Sequence, residues 1–449
     1  MIMNRRDFFK KAGLATAGTV AAPYILPTGR LFARTNTPKA EYVVMVMFAG
    51  GVRQQESVLQ RYLEDSQEVT GAAGNIMPNL FDGVAPDRKI VYGTDPGGGA
   101  TRGSEPIPRI LGQSMQSTGT VFKEMKAISA GHYVGLNTLI TGSLGTAQGL
   151  KTRPKYPTIF EYLRRHAGFD AIDTWFIANS LGNSTPLLNS SKHADYGLQY
   201  GGNMFVAPYT FGAVGKEILG NAKAYSKADL APMYYMKNFL DQSFGLTPDQ
   251  LETIKNTDDE KTRIKEFIRG VYQRQALGQI PRPPVTDNGD AVTISYAAEV
   301  LRYFKPKFLT LNMSGVDGCH SNFTGYLRSL HRADHSVGWL WSYIQNNIPE
   351  MAGKTIILVA PECGRNLKPN PILDENDWYA YDHSDANAMR VWGVMAGKNV
   401  PQMSIGGQGN PVGRLTDIVP TIADIFGIYD EVKSSPFIDP QSMSLFKRM

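Results

Sequence analysis

The chain has 449 residues, with 46 Lys and Arg against 41 Asp and Glu for a formal net charge of +5. That length buries a large core and exceeds one ordinary domain, so one large α/β domain with insertions, or two domains, is expected. The charge balance is mild and holds no basic run, which argues against a protein that tracks nucleic acid.

Residues 1–38 read as signal and linker. Arg5 and Arg6, followed by Lys10 and Lys11, precede an uncharged apolar stretch from Ala12 to Leu26. The segment resembles a twin-arginine export signal, which implies a periplasmic or exported protein. The stretch falls short of the ~20 residues that span a bilayer, and no later segment is long and apolar enough for a transmembrane helix. No cysteine stands near it, which disfavours a lipid anchor, and cleavage fits at Ala21-Ala22 or after Ala33.

Glu41 to Phe48 is a nearly continuous apolar run, the pattern of a strand buried on both faces, and Ala49-Gly50-Gly51 closes it with a tight turn. Residues 92–106 are glycine-rich and read as a loop. Leu136 to Gly142 reads as a strand, and Tyr156 to Leu163 as a helix with Pro157 near its first turn. Asp173 to Asn179 reads as another strand, so the order suggests a parallel sheet. Residues 39–180 and 290–449 are assigned to the core. Residues 181–289 are assigned to an insertion or cap, with charged helical stretches at 248–254 and 261–272 and a stiff connector at 279–284. The aromatic residues between 195 and 236 fit either stacking on a sugar or base, or packing. Tyr326 to Ile344 is an amphipathic helix. Its His331 and His335 have the i,i+4 spacing of a zinc pair but are expected at the surface.

Three segments carry metal-binding chemistry. Asp317 and His320 follow the apolar run Phe308–Met313. Glu362, Cys363 and Arg365 follow the run Thr355–Ala360. Asp382 and His383 end an aromatic loop. They meet at one place if the two runs lie side by side in a parallel sheet, whose C-terminal edge presents side chains into a crevice. Cys319 and Cys363, the only cysteines, both fall in these segments. A disulfide, a thiolate metal ligand and plain buried thiols are all open readings.

These segments resemble the alkaline-phosphatase-like superfamily and, within it, an uncharacterised twin-arginine-exported sulfatase-like family. Pro361–Arg365 stands where the superfamily has an Asp-His-Gly after a strand, and Asp317 and His320 where it has an Asp and a His from one loop. His383 stands where it has its last metal-binding His. Gly413 to Gly427 looks like its C-terminal strand and helix, and Thr138–Gly142 with Tyr156–Ile159 resembles the segments after its nucleophile. The resemblance covers residues 41–180 and 290–430 and implies a doubly wound α/β sandwich of alkaline-phosphatase type with a helical insertion. It also implies a divalent metal, zinc foremost with Ca, Mg or Mn as alternatives, held by Asp317, His320 and His383. Glu362 would hold a second ion or orient the first, with Asp382 beside it. Ser129, or else His132, would be the nucleophile, and Arg365 would pair with an anionic oxygen or form a structural salt bridge.

The departures are as informative. Ala49 or its neighbours stand where the first strand usually ends in a metal-binding Asp, and Glu362-Cys363 replaces an Asp-His pair. Neither cysteine is followed by the x-Pro-x-Arg of formylglycine sulfatases. The implied function is an exported metal-dependent hydrolase of phosphate or sulfate esters, acting on a small-molecule or glycan substrate. The rival is an inactive exported pseudoenzyme that binds a protein partner or a glycan.

Overall fold

A computed structural model of the chain describes residues 37–63, 72–86, 105–145, 153–181, 186–220 and 254–449, with two short paired strands, Tyr24–Ile25 and Leu31–Phe32. The twin-arginine segment, most of the glycine-rich loop and residues 248–253 lie outside the described residues.

Seven consecutive buried residues, Tyr42–Phe48, form strand β1. Val44, Val46 and Phe48 enter one core and Val43, Met45 and Met47 the other, the period of two that a doubly covered strand requires. The remaining strands are β2 (Gly119–Lys126), β3 (Thr174–Ala178), β4 (Asn203–Val206), β5 (Phe308–Met313), β6 (Thr355–Pro361), β7 (Arg390–Gly397) and β8 (Met403–Ile405). They form one eight-stranded sheet in the order β8-β2-β7-β6-β1-β5-β3-β4. Helices α1 (His132–Thr141), α2 (Ile159–Tyr162) and α6 (Ile418–Ile425) contribute to the core on one face. Helices α3 (Asp258–Ala276), α4 (Gly289–Phe304) and α5 (Phe323–Asn347) contribute to the core on the other. The α/β class expected from the sequence is the observed one.

Five local expectations differ from the structure. β5 and β6 are not neighbours: β1 lies between them, with Phe48 registered against both Met313 and Pro361. The sheet is mixed, because β7 runs antiparallel to β6 and β2. Residues 362–389 stay at the edge where β6 ends, so the next strand must run back. Leu136 to Gly142 is helical: Leu136, Leu139 and Ile140 are buried at helical spacing, and Gly142 ends the helix at φ 65°. The β-branched Thr138, Ile140 and Thr141 gave that stretch its strand-like look. At 413–427 a 3₁₀ turn, Leu415–Asp417, precedes α6 in place of the expected strand. Part of the stretch read as an insertion, Asn203–Val206, supplies the edge strand β4.

His331 and His335 are buried in α5, not at the surface. His331 Nδ1 donates to the Ile76 carbonyl and Nε2 accepts from Ile107 N–H, both at 2.7 Å. Both partners require the neutral ring, and burial pushes its pKa down to about 4. An unfolded histidine protonates near ~6.5, so the unfolded chain binds the extra proton between the two values. The stability this ring contributes is therefore present above pH ~6.5 and lost as pH falls toward 4, by up to about 3 kcal/mol. Denaturation titrations should show the stability gap between wild type and His331→Gln narrowing over that window; a constant gap would contradict the assignment.

Candidate metal centre

The central position of β1 brings three strand ends together. Its turn, Ala49-Gly50-Gly51, lies between the 3₁₀ turn Gly315–His320 after β5 and the Glu362–Arg365 segment after β6. Gly50 (φ +139°) and Gly51 (φ +74°) both take left-handed backbone, and a Cβ at Gly50 would lie 2.4 Å from the Asp317 backbone nitrogen. No L-residue with a side chain fits there. In place of a carboxylate, the turn offers its N–H groups: Gly50 and Gly51 donate to Glu362 Oε1 at 2.5 and 3.1 Å.

His132, the first residue of α1, stands at the middle of the cluster. Its Nδ1 lies 2.7 Å from Glu362 Oε1 and 3.4 Å from Cys363 Sγ, and its Nε2 lies 3.0 Å from Asp317 Oδ1. Its ring centroid is 3.9 Å from that of His383. The sequence reading reached His132 only as an alternative nucleophile. The local signal for more was an apolar helical face beginning directly after Gly131, which puts His132 on the first turn at the sheet edge.

Asp317, His320, Glu362 and His383 are thus brought together, with His320 and His383 ring centroids 4.9 Å apart. Asp382 is placed one step back. Its Oδ1 meets His320 Nδ1 at 2.6 Å, and His320 Nε2 faces Asp317 Oδ1 at 3.6 Å. This is the arrangement in which a carboxylate orients a ligating imidazole. Arg365 is buried behind Asp317, 3.1 Å from Oδ1, with its other donors turned to the carbonyls of Gly50, Gly51 and Tyr381. Ser129 Oγ accepts from Gly131 N–H at 3.0 Å, and no hydrogen bond ties it to the cluster among the described residues. Cys319 and Cys363 are both free, buried thiols: Cys319 packs into the α3–α5 side of the core, whereas Cys363 faces His132.

The electrostatics of the cluster set the carboxylates of Asp317 and Glu362 against His132 and Arg365. Burial lowers the His132 pKa, but hydrogen bonds to Asp317, Cys363 and Glu362 outweigh it and raise the value to about 12. Burial raises the Asp317 carboxyl, and His132, Arg365 and His320 overcome it and hold the pKa down at about 2. Burial, then the charges of His132 and Arg365, pushes His383 down to about 4. The His132 proton thus does the work of a positive charge between two carboxylates. Besides His132 Nε2, whose 3.0 Å approach to Asp317 Oδ1 falls outside hydrogen-bond geometry, two buried atoms of the cluster have no hydrogen-bond partner among the described residues, Glu362 Oε2 and His383 Nδ1, and such orphans are costly unless something ligates them. Two groups of donor atoms each lie within 4.8 Å of one another: those of His132, His320 and His383, and those of His132, Glu362 and Cys363. These residues fit a divalent cation, whose binding must displace the His132 proton.

No protein-family profile and no curated protein sequence matches the chain. Among solved structures, it is similar to a protein of the alkaline phosphatase superfamily from Vibrio parahaemolyticus, at 11% identity and TM-score 0.38 over 95% of this chain and 76% of that one. The wild-type alkaline phosphatase PafA aligns at 12% identity and TM-score 0.43 over 87% of this chain and 96% of that one. The C-terminal periplasmic domain of EcEptC from Escherichia coli, solved in complex with Zn, aligns at 11% and 0.42 over 91% and 87%. Identities and scores this low tie none of these proteins' activities to this chain.

Proposed function

We propose that the chain is an exported, metal-dependent hydrolase of phosphate or sulfate esters, with zinc as its ion and a small-molecule or glycan ester as its substrate. The observation that carries this reading is the convergence of His132, His320 and His383 on one sheet edge, with Asp317 Oδ1 3.0 Å from His132 Nε2 and 3.6 Å from His320 Nε2, beside Glu362 Oε2 and His383 Nδ1, which have no hydrogen-bond partner among the described residues. Nitrogen and oxygen donors with a thiol alongside suit zinc better than calcium or magnesium, which take oxygen ligands. Export rests on the twin-arginine resemblance of residues 4–26, and no helix among the described residues is long and apolar enough to cross a membrane.

A bound divalent ion supplies Lewis-acid stabilisation of charge on a phosphoryl or sulfuryl group. The chain's own residues set the stage for it. Asp382 holds the His320 tautomer that leaves Nε2 toward Asp317. Arg365 fixes Asp317 from behind, and the Gly50 and Gly51 N–H groups hold Glu362 in place. The reading rests on this cluster and not on Ser129.

Elemental analysis of the purified mature protein, with a panel of aryl phosphates and aryl sulfates, tests it. About one equivalent of zinc or more and turnover of either ester class is expected. Less than roughly a tenth of an equivalent of metal, with no turnover, sinks the hydrolase reading. Metal without turnover supports the rival, an exported binding protein that keeps a metal in an inactive site.

A further inference from the structure

The 3₁₀ turn that carries Asp317 and His320 is seated on a buried carboxylate from another element. Asp290, the second residue of α4, is 1% exposed, and its side chain faces the ends of two strands. Oδ1 accepts from Ser314 N–H and Oδ2 from Gly315 N–H, both at 3.0 Å. The Asn179 amide, just past the end of β3, donates to the same Oδ1 at 2.8 Å and reaches Ser314 Oγ at 3.3 Å. A Cβ at Gly315 would lie 2.5 Å from Asp290 Oδ2, so glycine lets the turn settle onto the carboxylate. Asp317 N–H in turn donates to the Ser314 carbonyl at 3.2 Å, which fastens the Asp317 backbone to the anchored residue.

The chain builds the same device a second time. Asp334, in α5, is 0% exposed and accepts from the Asn79 and Leu80 N–H groups at 3.0 and 2.8 Å and from the Asn79 amide at 2.8 Å. Both carboxylates thus hold two consecutive backbone N–H groups and one asparagine amide. Asp334 holds a loop that contributes nothing to the metal candidates, whereas the two N–H groups on Asp290 lie directly before Asp317.

We propose that Asp290 is a positioning residue for the candidate metal centre, fixing the backbone turn from which Asp317 and His320 project. Its effect on ion binding rests on the metal-dependent reading above, whereas the placement of the turn stands on the hydrogen bonds alone. In Asp290→Asn one acceptor oxygen becomes an NH₂ group, which faces a backbone N–H and cannot accept from it. The turn then loses one of its two anchors, and Asp317 Oδ1 loses its fixed place before His132 Nε2 and His320 Nε2.

Zinc titration of the full chain against a chromophoric chelator tests this, together with ¹⁵N-histidine NMR of the metal-stripped protein. Asp290→Asn should weaken zinc binding by roughly 10–100-fold and move the His132 and His320 ring resonances. Asp334→Asn loses an equivalent set of contacts; it should lower the urea midpoint but keep wild-type zinc affinity and ring resonances. Asn179→Ala, which leaves Asp290 both backbone donors, is the milder variant should Asp290→Asn fail to fold, and it should weaken zinc binding by a smaller factor and move the same resonances. Wild-type zinc affinity and ring resonances in the folded Asp290→Asn, or in Asn179→Ala where Asp290→Asn does not fold, overturn the proposal. An equal loss of zinc affinity in Asp334→Asn also overturns it. If the wild type takes up no zinc, the hydrolase reading fails, and the ring resonances of the metal-stripped variants alone decide the positioning role.

Discussion

On the proposed function, Asp317→Asn and His383→Ala are each expected to release the ion held by Asp317, His320 and His383, and ester turnover is expected to fall with it by at least ~10³-fold. Asp317 Oδ1 is the point toward which His132, His320 and Arg365 all turn, and His383 Nδ1 is buried with no hydrogen-bond partner among the described residues. The Asn substitution keeps the side-chain volume and leaves Arg365 its carbonyl partners, so the loss reports ligation and not unfolding. Circular dichroism confirms the fold, and metal analysis by mass spectrometry gives the ion content. Asp382→Asn provides the graded comparison: Asp382 orients His320, so affinity should weaken by roughly 10–100-fold while the ion remains measurable. Full ion retention in both Asp317→Asn and His383→Ala would refute the ligand set.

The largest loss of stability is expected at Glu56→Ala, about 3–5 kcal/mol. Arg53 and Glu56 are both fully buried just beyond the β1 turn. Glu56 Oε1 takes Arg53 Nη2 at 2.5 Å and Nε at 2.9 Å, and Tyr326 OH donates to Glu56 Oε2 at 3.2 Å. The guanidinium lies 3.8 Å from the Tyr381 ring centroid and gives a hydrogen bond to the Leu367 carbonyl. Removing Glu56 strands a buried positive charge, whereas Arg53→Met with Glu56→Leu removes both charges and fills the space. Urea denaturation should therefore rank the double variant above Glu56→Ala. A cost below about 1 kcal/mol for Glu56→Ala would show that water reaches the pair.

The strands of the core were legible where apolar runs were long: Tyr42–Phe48, Thr174–Ala178, Phe308–Met313 and Thr355–Pro361 all stand where hydrophobicity placed them. Their order was not legible, because apolar runs look alike and nothing local says that β1 lies between β5 and β6. That one fact rearranges the site: the Gly50–Gly51 turn enters between Asp317 and Glu362, and a missing carboxylate becomes a pair of N–H donors. His132 was seen without its importance, since a histidine before an apolar run gains meaning only when the helix start is fixed against a sheet edge. Arg53 and Glu56 escaped notice for the converse reason. Val52 to Ser57 has the composition of a solvated loop, and α5, the segment around Leu367 and Tyr381, Asn387 and strands β2 and β7 bury it.

The place of β1 also bears on how the chain is made. Val43 pairs with Phe308 on one side and Ile356 on the other, so a strand synthesised near the start must wait for partners synthesised beyond residue 300. Closing so long a loop is slow, and the waiting strand is an apolar edge that invites wrong pairing. The centre of the sheet can therefore close only after residues 308–313 and 355–361 have left the ribosome. Until then Gly50, Asp317 and Glu362 have no common geometry, so the candidate metal centre takes shape late in folding.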